Sequence, residues 1–104
     1  MTVFYDHILP HAIARESLTA FLTSEAEIEQ VLVELDELYH HVVLEHILHA
    51  LPEHAHGDFI GRLRKNPADH ALLLMIRSYD PHIEAKLSQA ALKSTHTFID
   101  AIHA

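Results

Sequence analysis

Residues 24–51 read SEAEIEQVLVELDELYHHVVLEHILHAL, and this stretch decides the fold. Ser24 and Glu27 are spaced as a capping box, in which the serine hydroxyl accepts from the third backbone N–H and the glutamate reaches back. Glu25, Glu27 and Glu29 set negative charge against the positive end of a helix dipole. Ile28, Leu32, Leu35, Tyr39 and Val42 then follow at steps of four and three, so they share one helical face. Val43, Leu44, Ile47, Leu48 and Leu51 widen the apolar set, which predicts that the second half of the helix is surrounded and forms the centre of the core. Such a helix spans roughly 42 Å at ~1.5 Å per residue. A compact domain of this length has a radius of gyration near ~13 Å, hence a diameter of about 34 Å. The helix therefore bends, the molecule is elongated, or the overhang meets a second subunit.

The flanking sequence completes an all-α bundle of about five helices, built around this central helix and a long C-terminal one over residues 81–102. Upstream, Pro10 excludes a helix interior, so the sequence predicts a short turn or helix at residues 4–9. A helix from about Pro10 to Leu22 follows, with Ile13, Leu18, Phe21 and Leu22 buried. Downstream, Pro52 stops the central helix, and Ala55, Phe59, Ile60 and Leu63 mark a short helix ending near Lys65. Its glycines, Gly57 and Gly61, predict a close approach to a neighbour. Asn66-Pro67 and Asp80-Pro81 each read as a cap followed by a first-turn proline. Between them the run Ala71 to Ile76 is expected to be buried. The last helix places Ile83, Leu87, Ala90, Ala91, Ser94, Phe98 and Ala101 on one face.

Composition agrees. The 104 residues suit a single domain spanning 1–104, 49% of them apolar, with only two glycines. The formal charge of −8 argues against nucleic acid and anionic membranes as partners. No cysteine is present, which removes disulfides and thiolate chemistry and fits a reducing compartment. The opening MTVFYDHILPHAIARE lacks the basic start of a signal peptide, and no apolar run is long enough to span a bilayer. The expectation is a soluble, cytoplasmic protein.

Taken together, the SEAEIEQVLVELDELYHHVVLEHIL helix, the ALPEHAHGDFIGRL segment and SYDPHIEAKL leading into an amphipathic tail resemble a small helical domain family of unknown function from uncultured bacteria. The resemblance covers about residues 24–102. It implies the same helix order and supplies no activity and no site residues.

The chemistry-bearing residues are histidines, six of the twelve falling between His40 and His56. Glu37, His41, Glu45 and His49 step by four along one side of the central helix. His41 and Glu45, with His49 a turn further on, are the candidate ligands for a divalent transition metal. The competing reading is solvated histidines paired with Glu37 and Glu45. Glu37-Leu38-Tyr39-His40 also has the Glu-x-x-His spacing of di-iron bundles, but the other match, Glu53 to His56, lies on the adjoining short helix. Tyr39, Val42, His46 and His49 are the candidate interface, with His46 and His49 continuing the apolar face, where protonation would weaken a subunit contact. Nucleophile motifs and Gly-rich phosphate loops are missing. The sequence therefore predicts a small protein-interaction module, self-associating as a homodimer or other homo-oligomer and without enzymatic activity. A histidine/carboxylate metal-binding bundle is the alternative.

Overall fold

The structure, a computed structural model, describes residues 3–103. A 3-10 turn at Asp6–Ile8 precedes α1 (His11–Thr19), α2 (Glu25–Ala50), α3 (Glu53–Lys65), α4 (Ala71–Tyr79) and α5 (Ile83–His103). All secondary structure among the described residues is helical, as the composition predicts. None of these helices is long and apolar enough to cross a membrane.

Two long helices form the spine. α5 runs back along α2: the Tyr39 hydroxyl meets Thr95 near the middle, while Asp80 and Ile83 border the same surface as His46 and His49 near the end. α1 packs antiparallel on the first half of α2, where Arg15 pairs with Glu25 and Glu29 and His11 with Asp36. α3 and α4 pack on each other, and α4 also contacts α2. The chain start crosses the waist between these two ends. There Phe4 and Tyr5 are buried, and the Phe4 N–H donates to the Pro67 carbonyl at 2.7 Å.

Ser24 caps α2 as its position predicts, its hydroxyl accepting from the Glu27 N–H. The buried line along α2 is Ile28, Leu35, Tyr39, Val43 and Ile47, with Val43 in place of the expected Val42. Each step of four residues advances ~40° around a helix with 3.6 residues per turn. From Leu35 to Ile47 the buried line thus winds by about 120°. One end of α2 can then face α1 while the other faces α4. His46 lies at nearly the same angle as Ile28, but the buried line has moved on by then, so His46 and His49 are exposed.

The length of α2 is accommodated by elongation. The molecule measures 46 × 23 × 18 Å, with a radius of gyration of 15.0 Å. The overhang argument for a second subunit therefore falls away.

Other expectations need correction. α1 ends at Thr19, so Phe21 and Leu22 lie beyond it, half-buried; inside it Ala14 and Leu18 are buried and Ile13 is 48% exposed. α4 begins at Ala71 and not at Pro67, because the Pro67 carbonyl is taken by Phe4 and Asp69 accepts from the Ala71 N–H. Within the run Ala71 to Ile76, only Leu72, Leu73 and Ile76 are buried, and Leu74 is 61% exposed. A helix with one covered face cannot bury six consecutive side chains. A methyl group added at Gly57 or Gly61 would meet open space, so neither glycine serves a close approach. In α5, Ala101 is exposed, and the fourth fully buried position after Ile83, Leu87 and Ala91 is Thr95.

Candidate functional site

The histidine ladder is on the solvent side of α2. His41 Nε2 lies 3.7 Å from Glu45 Oε2, with both side chains largely exposed. His49, one turn on, instead borders a groove with His46, Asp80 and Lys86. No three His, Asp or Glu side chains among the described residues are grouped to hold a metal ion. Of the expected interface residues, Tyr39 is fully buried inside the chain, bonded to Thr95, and cannot be a surface contact. Val42 is half-buried, and His46 and His49 are exposed.

The side chains that do converge form a different set, at the waist where the chain start, α1 and α2 meet. Asp36 stands at its centre. His11 donates through Nε2 to Asp36 Oδ1 at 2.8 Å, and His40 through Nε2 to Oδ2 at 3.1 Å. The other ring nitrogen of His40, Nδ1, accepts from the Tyr5 hydroxyl at 2.5 Å. Edge-on ring contacts reinforce the set, Tyr5 against His40 and His11 against Tyr39. Two of the members sit one turn apart on α2, at Asp36 and His40, so the helix itself presents them together. The other two arrive from distant sequence.

The electrostatics are consistent with these donor assignments. Burial raises the Tyr5 phenol above its ordinary value of 10.0, and the charges of Asp36 and Asp6 raise it further. Tyr5 therefore keeps its proton and donates it, which assigns the Nε2–H tautomer to His40. For Asp36, burial acts upward, but the hydrogen bonds donated by His11 and His40 prevail and hold the carboxyl below its ordinary range.

The network resembles a Tyr–His–Asp relay, but Tyr5 is only 2% exposed, so the relay ends in the interior. Beside it lies a shallow cleft of about 420 Å³ bordered by His11, Leu32, Val33, Asp36 and Glu37. The set's evident physical role is to clip the start of the chain to α2. Alkaline pH tests this. The folded state holds the Tyr5 proton more tightly than the unfolded chain does. Its contribution is complete below pH ~10 and declines as pH rises past that value. Wild type is thus expected to lose thermal stability above about pH 10 more steeply than Tyr5→Phe, measured by circular dichroism.

The sequence carried a partial signal for this site. Asp36 was not singled out; its i, i+4 spacing to His40 is the local signal that could have found the pair, whereas Tyr5 and His11 have no local pattern linking them to α2. No family model matches the chain, and no curated protein or solved structure matches it either.

Proposed function

We propose that this chain is a helical protein-interaction module that associates with copies of itself and performs no catalysis. The observation that carries this reading is that charges of both signs are left unmatched on one chain. Four of the seven cationic side chains, Arg15, Arg62, Arg77 and Lys86, are held in ion pairs within the chain. Arg64, Lys65 and Lys93 meet no carboxylate among the described residues, and Glu27, Glu34 and Glu37 on α2 meet no cation. Surfaces of opposite sign left open on one body are complementary to a second copy of it.

The pH dependence of such association has a definite sign. With histidines neutral the chain carries −8, and its isoelectric point is near 5.8. Lowering the pH toward the isoelectric point removes the net repulsion between copies. This reverses the expectation drawn for buried interface histidines, because His46 and His49 are exposed. Light scattering is expected to show a mass that grows from about pH 8 to about pH 6 and shrinks again with added salt. A monomer at every pH and concentration would refute the module reading.

A metal-binding bundle has the His41–Glu45 pair as its support. Elemental analysis of the same untagged sample after zinc or nickel addition, repeated with Glu45→Ala, decides between the two.

A further inference from the structure

One surface of the molecule holds both halves of a self-complementary contact. Between α2 and α5 runs a groove of about 330 Å³, bordered by His46, Lys86, Gln89, Ala90 and Lys93. Lys93 is exposed and meets no carboxylate among the described residues, whereas Lys86 is held by Asp80 at 2.7 Å. The His46 ring donates through Nδ1 to the Val42 carbonyl, so Nε2 is its remaining polar atom. The groove is thus a local concentration of cationic and titratable groups in an acidic protein.

The complementary surface is the outer face of the first half of α2. Glu27 and Glu34 are both exposed, and Glu34 accepts a 3.4 Å bond from Gln30 and meets no cation among the described residues. Glu27 and Glu34 are seven residues apart, two helical turns or ~10.5 Å, and Lys86 and Lys93 have the same spacing on α5. At 100° per residue, the half-buried Val31, Leu38 and Val42 fall on α2 between the acidic stripe and the angle of His46. The acidic stripe, an aliphatic strip and the groove therefore share one side of the long helix, the acids toward its start and the groove toward its end.

We infer that two copies pair side by side in opposite directions, the α2–α5 groove of each receiving the Glu27–Glu34 face of the other's α2. This rests on the self-association reading and names its surface. A two-fold axis across the middle of α2 makes the two contacts equivalent and closes the assembly at a dimer. Between exposed charges such contacts are individually weak, so the dimer is salt-sensitive and concentration-dependent.

A charge exchange tests the pairing, read by sedimentation equilibrium of the full chain over a concentration series. Lys93→Glu and Glu34→Lys are each expected to weaken dimerisation roughly tenfold, and the double variant to recover most of that loss. Both positions are exposed, and matching circular dichroism spectra establish that the variants fold. If wild type dimerises and neither single variant changes the constant, the groove is not the interface, while the module reading stands. If the singles weaken the dimer and the double does not recover, Glu34 is not what Lys93 meets, and the pairing is wrong. A wild-type chain that stays monomeric overturns both this pairing and the function reading beneath it.

Discussion

Phe4→Ala is expected to destabilise the protein by about 3–5 kcal/mol. Phe4 is 1% exposed, and its ring stands edge-on to Tyr5 at 5.0 Å and to Phe59 at 6.2 Å. Truncation removes the apolar burial, both aromatic contacts and the filling of the waist, where α3 and the chain start come together. The stability of a domain of this size is about 5–15 kcal/mol, so the loss takes a large share of it. At ~4–8 °C per kcal/mol, the thermal midpoint should fall by at least ~12 °C. Phe4→Leu keeps most of the volume and should lose less than half as much. A Phe4→Ala midpoint within a few degrees of wild type would show that the chain start is not part of the cooperative fold.

Thr95→Val should destabilise by about 1–3 kcal/mol, although it keeps the shape of the side chain. Thr95 is fully buried, and its hydroxyl donates to the Ala91 carbonyl at 2.9 Å. With that proton committed, the Tyr39 hydroxyl must be the donor to Thr95 Oγ1. Valine would leave the Tyr39 O–H buried without an acceptor, an outcome more costly than losing the bond from both sides. Burial also raises the Tyr39 phenol, and the Asp36 charge raises it further, so ionisation offers no escape near neutral pH. Adding Tyr39→Phe to Thr95→Val should therefore restore part of the loss. A double variant as unstable as the sum of the singles would mean that the two hydroxyls act independently.

The value of this pair is that it joins the two long helices at their centre. Nothing local marks Thr95: it lies on a helix whose recognisable face runs through Ala90, Ala91, Ser94 and Phe98. Its partner is 56 residues away. Tyr5 and His40, 35 residues apart, are the same case. Side chains brought together by packing leave no periodic trace, since periodicity records only which face of an element is covered.

Local order was legible because its causes are local. The Ser24 cap, the stop at Pro52, the Asp80-Pro81 turn and the scarcity of glycine settle where helices begin and end, within a few residues. Where a long-range bond intervenes, as Phe4 does at Pro67, the local signal misplaces the start of α4. The long stripe on α2 was legible as apolar, but its winding was not, because that depends on which neighbour covers each end. That single difference moved His46 and His49 from an expected apolar face to solvent. Sequence alone thus determined an all-helical chain with a histidine-dense central helix, since helix propensity, caps and composition act within a few residues of each other. Only the tertiary structure decided that His40 of that helix is held by Tyr5 and Asp36, and that His11 of α1 joins it on Asp36, because burial and long-range hydrogen bonding are properties of neighbours and not of spacing.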